Sequence, residues 1–168
     1  YTGKGGNESA EAFYSEAGNS MLIGVRLLGY QDTLQVKKGN YYLQRCFILG
    51  NVDFMWGQTC KVIFDDCDLK FRYASAKNSG YFTAFNTDES YPYGVIYNNC
   101  RFTSESSCGG TKYYLGRPYQ NKAAIAFVNC YMGSIINKDW GYSDWSGKEL
   151  SSNLEVYEAT RYYECGSY

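Results

Sequence analysis

Two blocks of the sequence set a carboxylate among apolar neighbours: Gln31-Asp32-Thr33-Leu34 and Val52-Asp53-Phe54-Met55-Trp56-Gly57. Asp32 and Asp53 lie 21 residues apart, the same interval that separates Cys46 from Cys67. If one coil of the chain takes that many residues, the two carboxylates stack on adjacent coils, about 4.8 Å apart in the spacing of parallel strands. Carboxylates that close do not both ionise readily. Their pKa values split, which suits one to act as nucleophile and the other as acid. The sequence has no His, which removes Ser-His-Asp and Cys-His catalysis and histidine metal sites. Any catalysis falls to carboxylates, Lys, Tyr or Cys.

The elements that must position these residues repeat along the chain. Tyr42-Leu43-Gln44-Arg45-Cys46-Phe47-Ile48 is followed by Val62-Ile63-Phe64-Asp65-Asp66-Cys67-Asp68-Leu69, Val95-Ile96-Tyr97-Asn98-Asn99-Cys100-Arg101-Phe102 and Ile125-Ala126-Phe127-Val128-Asn129-Cys130-Tyr131-Met132. Each unit is a short apolar run, a polar pair, a Cys and a second short strand. Met21 to Gly29 reads as an earlier unit with Gly24 in place of the Cys. Residues 1–20 read as loop plus a strand, around Ala10 to Tyr14, that enters the first coil. Short strands at a repeating interval, with extra length in loops, predict an all-β solenoid: a right-handed parallel β-helix, as one domain over residues 1–168. An antiparallel sandwich is the alternative, disfavoured because hairpin pairs such as Asn-Gly are missing. The cysteines are expected to stack inside as small residues, one per coil, although Cys67 and Cys100 on neighbouring coils could pair as a disulfide.

Counting back from the cysteines, Asp32, Asp53 and Asn86 each precede their Cys by 14 residues and Arg117 precedes Cys130 by 13. That spacing predicts a column of Asp, Asp, Asn and Arg on one face. The Asp65-Asp66 pair reads as a solvated turn.

Composition narrows the function classes. With 16 Lys and Arg against 17 Asp and Glu, the chain has no basic footprint for nucleic acid. No run approaches the roughly 18 apolar residues of a membrane span, so no membrane partner is expected. The seven cysteines contain no Cys-x-x-Cys pair, and no metal site or cofactor is predicted. The tripeptide Asn7-Glu8-Ser9 matches a glycosylation sequon and favours a secreted setting. The chain begins at Tyr1, which reads as a processed or excerpted start.

These blocks resemble the pectin methylesterases, carbohydrate esterase family 8. The family's Gln-Asp-Thr-Leu motif matches Gln31 to Leu34, its Asp-Phe-Ile-Phe-Gly motif appears as Asp53-Phe54-Met55-Trp56-Gly57, and its Leu-Gly-Arg-Pro-Trp motif as Leu115-Gly116-Arg117-Pro118-Tyr119. The resemblance implies a right-handed parallel β-helix that hydrolyses methyl esters of homogalacturonan to pectate and methanol. It makes Asp53 the nucleophile and Asp32 the acid, then base. Gln31 becomes an oxyanion donor, and Arg117 keeps Asp53 ionised and oriented. Tyr119, Trp140 and Trp56 are the implied sugar-binding faces, with Trp145 in the same loop segment as Trp140. It implies a secreted, cell-wall enzyme without cofactor, expected as a monomer, of which this chain is the central and C-terminal part.

Five positions depart from the family pattern. Ser9 stands where an oxyanion-supporting Gln is usual, Gln35 replaces a Tyr, Tyr119 replaces Trp, and Phe85-Asn86 replace the Gln-Gly of a Thr-Ala-Gln-Gly segment. Phe85 and Asn86 are expected to crowd the path from Arg117 to Asp53. Two other function classes stay open: a non-catalytic β-helix that binds pectin or another acidic polysaccharide, and a polysaccharide lyase. The lyase lacks the calcium carboxylate cluster or basic set it would need. Unsaturated product in place of methanol would identify it.

Overall fold

The structure, a computed structural model, describes residues 9–75, 79–110 and 112–168. Asn7 and Glu8 of the sequon lie outside the described residues. The chain winds through successive coils. The first carries β1 (Phe13–Ser15), β2 (Asn19–Ile23) and β3 (Arg26–Leu28), the second β4 (Leu34–Gln44) and β5 (Phe47–Gly50), the third β6 (Met55–Asp65) and β7 (Asp68–Phe71). The fourth holds β8 (Gly80–Asn86), β9 (Val95–Asn98) and β10 (Arg101–Ser104), and the fifth β11 (Tyr113–Gly116), β12 (Ala123–Val128) and β13 (Tyr131–Met132). A short helix, α1 (Leu154–Ala159), leads into β14 (Thr160–Cys165). Every strand ladder is parallel, in two sheets. One runs β1-β4-β6-β9-β12-β14, with β2 beside β4, β8 beside β6 and β11 beside β8; the other runs β3-β5-β7-β10-β13. This is a parallel β-helix.

Side-chain alternation along each strand explains the packing. In the second halves of β4 and β6, after the positive-φ residues Lys38 and Thr59, every second residue points inward, so Leu43, Phe64, Tyr97 and Phe127 form one interior column through the register Leu43↔Phe64↔Tyr97↔Phe127. The three aromatic rings of that column stack at 4.6 and 5.1 Å between centroids, a geometry that adds to the burial of their area.

The polar pair of each repeat turns the chain from one sheet to the other. Gly24, Arg45, Asp66, Asn99, Asn129 and Gly166 all take positive φ at equivalent positions. Gly, Asn and Asp enter that left-handed region at least cost, which is the reason for the Asn or Asp before Cys67, Cys100 and Cys130; Arg45 before Cys46 is the exception. The following residue points inward. Cys46, Cys67, Cys100 and Cys130 are buried, and the Sγ atoms of the last three face carbonyls of the preceding coil, Leu43, Phe64 and Tyr97, at 3.4 to 3.5 Å. All seven thiols are free, so Cys67 and Cys100 are stacked neighbours, not a disulfide.

Three details differ from the sequence reading. In the first coil Gly24 is level with Arg45, and Val25 takes the cysteine's place, because Ile23 pairs with Gln44. Of the Asp65-Asp66 pair, Asp66 is the exposed turn residue expected, but Asp65 ends β6. Its carboxylate accepts hydrogen bonds from the Tyr42 hydroxyl at 2.7 Å, the Asn98 amide at 2.8 Å and the Gln44 amide at 3.3 Å, and these bonds, Tyr42's foremost, hold its pKa below the usual range. The expected column also divides. The register Met55↔Thr83↔Gly116 puts Tyr81 and Tyr114, not Asn86 and Arg117, level with Asp53. Asn86 pairs with Gln58 instead. Counting back from the Cys fails there because residues 87–94 form a connection between β8 and β9 where β6 is continuous.

Gly57, the last residue of the Asp-Phe-Met-Trp-Gly block, sits where neighbouring coils touch. A Cβ there would run into the carbonyl oxygen of Val36 and stand 2.9 Å from a ring carbon of Phe85. Because the first obstacle is backbone, Gly57→Ala is expected to destabilise the fold by about 1–3 kcal/mol, read as a lowered midpoint in thermal unfolding followed by circular dichroism.

Candidate active site

The two carboxylate blocks form equivalent turns on adjacent coils. Asp32 and Asp53 both take positive φ, 58° and 51°, just before β4 and β6. Short polar side chains tolerate that conformation, and non-glycine residues held in it cluster at functional sites. Below Asp32 the turn is fastened by Thr33, whose hydroxyl donates to the carbonyls of Tyr30 at 3.0 Å and Leu49 at 3.2 Å. Phe54, fully buried, fills the same place below Asp53. Gly29 and Gly50 leave room for these side chains: a Cβ on Gly50 would stand 2.6 Å from the Phe54 ring and 2.7 Å from the Thr33 hydroxyl. The coils are joined here by the Asp32 N–H, which donates to the Val52 carbonyl at 3.1 Å.

Gln31, Asp32, Asp53, Trp56, Ala84, Tyr119 and Trp145 line one cleft of about 140 Å³. Its floor owes its depth to Ala84, the small residue that pairs with Trp56 across β6 and β8. Trp56 meets Tyr119 edge to face at 5.5 Å, and Tyr119 meets Trp145 at 5.5 Å, so three aromatic rings form a continuous wall. Tyr119 opens a 3₁₀ turn after Pro118, and the Asn86 amide donates to its carbonyl at 3.0 Å.

Arg117 follows β11 and reaches back to Asp53. Its Nε donates to Oδ1 at 2.9 Å and its Nη2 to Oδ2 at 2.6 Å, with both side chains largely shielded from solvent. Such a two-point, charge-assisted pair fixes a carboxylate's orientation as well as its charge. Asp32 has no such partner. Burial pushes its pKa up to about 6, offset in part by hydrogen bonds from Ser9 and Gln31 and reinforced by the negative charge of Asp53. The cleft thus pairs an ionised carboxylate locked to a cation with a second carboxyl that exchanges its proton near neutrality, the separation of roles that acid and nucleophile require.

The structure thus brings together Gln31, Asp32, Asp53, Arg117, Trp56 and Tyr119. It does not bring Trp140 into the cleft: its ring packs on Tyr114 at 5.1 Å, beside Val52 and Tyr81. Trp145, five residues further on, holds the place on the wall. The two lie in one loop segment with similar neighbours, so composition gave no means of choosing between them. Phe85 does not crowd Arg117, since it is fully buried in the interior while Asn86 supports Tyr119. Gln35 is buried beside Trp56, with its amide between Glu11 and Lys37. Tyr81 carried no sequence signal, and Ala84 shows in the sequence only as the matching Ala of the family's Thr-Ala-Gln-Gly segment. Among the described residues, no three His, Cys, Asp or Glu side chains gather that could hold a metal ion.

The family model for pectinesterases matches residues 2–166. The chain belongs to the pectinesterase family. A pectinesterase of Arabidopsis thaliana is 36% identical over 126 residues, covering 74% of this chain and 30% of the relative. The crystal structure of a pectin methylesterase from Aspergillus niger, 30% identical, superposes with a TM-score of 0.68 over 85% of this chain and 43% of its own. A pectin methylesterase from rice weevil, 23% identical, shares the fold with a TM-score of 0.79 over 97% of this chain and 52% of its own. This pectinesterase-family chain therefore spans less than half of the first two relatives.

Burying Asp32 has a consequence for stability. A carboxyl whose folded pKa lies above its unfolded value binds more protons when folded, so stability falls as pH rises from about 4 to about 6 and levels off above. Asp32→Asn removes that cost. It is expected to stabilise the fold at pH 8 by about 1–2 kcal/mol, allowing for solvent screening of a half-buried group, and to leave it little changed at pH 4. Thermal unfolding midpoints at the two pH values test this.

Proposed function

We propose that this chain carries the catalytic centre of a pectin methylesterase, which hydrolyses methyl esters of galacturonate units in homogalacturonan. The observation that carries the reading is the two-point Arg117–Asp53 pair facing Asp32, a carboxyl with a pKa near 6, across one aromatic-walled cleft. A carboxylate oxygen of Asp53 attacks the ester carbonyl, and negative charge gathers on the carbonyl oxygen. The Gln31 amide has two N–H donors; one bonds Asp32, and the other serves that oxygen. As the tetrahedral centre collapses, the C–O bond to the methoxy group breaks and protonated Asp32 supplies the proton that makes methanol. The product is an anhydride between Asp53 and the galacturonate carbonyl. Asp32, now a carboxylate, takes a proton from water, whose oxygen attacks that carbonyl. Free galacturonate leaves and Asp53 is restored, with Asp32 protonated for the next cycle.

Trp56, Tyr119 and Trp145 offer flat apolar faces to sugar rings. The oligosaccharide found with one solved pectin methylesterase, a hexasaccharide, is consistent with a polymeric substrate for this cleft. Activity on cell-wall pectin outside the cell, by a monomer, completes the reading. A second reading, a β-helix that binds acidic polysaccharide without turning it over, is favoured by one observation: Ser9 spends its hydroxyl on Asp32, where a longer amide would reach further toward the oxyanion.

Methanol release from highly methylated pectin separates the two. The chain as given is expected to release methanol, and Asp53→Ala to lower kcat by roughly 10³-fold or more. Gln31→Ala, which removes one oxyanion donor, should cost about 10²–10³-fold in kcat. Because Asp32 must be protonated to expel methanol, kcat/KM is expected to fall as pH rises through about 6. Release that survives Asp53→Ala, or no release from the folded chain, would overturn the esterase mechanism.

A further inference from the structure

Arg117 is held on more sides than its ion pair requires. Its Cζ stands 4.1 Å from the centroid of the Tyr81 ring and 4.0 Å from that of Trp145. Two rings cannot share one face of a guanidinium at that range, so they take opposite faces. Nη1 also donates to the Trp145 carbonyl at 3.4 Å. Neither ring is loose. Tyr81, buried in β8, stacks on Tyr114 at 5.3 Å with their planes 22° apart, and Tyr114 backs onto Trp140. Trp145 leans on Tyr119. Its loop is pinned through Asp144, whose carboxylate accepts from the Ser146 hydroxyl at 2.7 Å and the Lys148 N–H at 2.9 Å.

We propose that Tyr81 and Trp145 are positioning residues that clamp the guanidinium of Arg117 in the one plane from which it meets both oxygens of Asp53. A guanidinium is planar and presents its donors at the rim, leaving both faces poorly hydrated and free to stack. Aromatic faces attract the cation through their quadrupole. With both faces occupied, the fork cannot roll about its long axis, and the rim is left pointing at Asp53. The inference rests on the reading of Asp53 as nucleophile. Trp145 is at once a wall of the cleft and one jaw of the clamp, whereas Tyr81 does not line the cleft, so Tyr81 isolates positioning from substrate contact.

Tyr81→Phe keeps the aromatic face, and Tyr81→Leu removes it while keeping an apolar side chain. The readouts are the pH profile of kcat/KM on a short methylated galacturonan, the division of effects between kcat and KM, and the Arg117 Nε–H proton signal by NMR, assigned by its loss in Arg117→Lys. Tyr81→Phe is expected to behave as the parent. Tyr81→Leu should shift the acid limb of the profile to higher pH, lower kcat on the order of tenfold with KM within about twofold, and broaden the Nε–H signal by exchange. Trp145→Leu, on an exposed loop, repeats the NMR measurement without altering the interior. A sharp Nε–H signal and a parental pH profile in Tyr81→Leu would overturn the clamp. If the parent releases no methanol, the esterase reading fails by itself and the NMR signals decide the clamp alone: lost in both Leu variants supports it, retained in both overturns it.

Discussion

Each coil of this chain satisfies its strand N–H and C=O groups through the coils stacked on either side, and an unmet buried backbone group costs about 1–3 kcal/mol. Register is therefore fixed by a ladder running the length of the molecule, continued even at the turns, where Arg45, Asp66, Asn99 and Asn129 each donate to the coil that follows. A slip of one residue would turn every interior side chain to the surface. The cleft inherits its precision from this ladder. Asp32 and Asp53 sit at the same turn of successive coils, so their proximity is set by the strand spacing and not by either side chain.

That regularity explains why the site is built where coils differ. Where β4 and β6 run continuously, the second and third coils are nearly interchangeable. The later coils insert chain between β11 and β12 and after β13, and these segments reach the rim of the cleft. Tyr119 and Trp145 arrive on such segments, and Arg117 at the end of β11. Rigid ladder and variable rim divide the labour: one holds the carboxylates, the other brings the cation and the aromatic wall to meet them.

Electrostatics separates two chemically identical groups. Asp53 is neutralised by a guanidinium at hydrogen-bond distance, and the cation is itself shielded by two rings. Asp32, one coil away, faces burial and the negative charge of its neighbour, offset foremost by the neutral donors Ser9 and Gln31. The same constraint that stacks the turns forces the two charges together, and the placement of one Arg decides which carboxyl stays ionised.

Much of this was legible in the residues. The repeat of apolar run, polar pair and Cys specified a parallel solenoid, because its period and its interior small residues admit few other packings. The two Asp turns could be placed on neighbouring coils from their 21-residue spacing alone. Counting failed where loop length entered. Asn86 seemed level with Asp53 because counting back from Cys100 took no account of the extra residues at 87–94 between β8 and β9, and only the strand pairing of Thr83 with Met55 places it correctly. Nor could sequence choose between Trp140 and Trp145, notice Tyr81 or place Ala84 in the cleft, since facing a cleft depends on which way a loop folds back and on what lies across the sheet. The sequence by itself determined the coil and the identity of its paired carboxylates, for these follow from local periodicity. The tertiary structure alone decided which aromatic rings wall the cleft and what holds Arg117, because those contacts join residues up to 64 positions apart whose meeting no local pattern encodes.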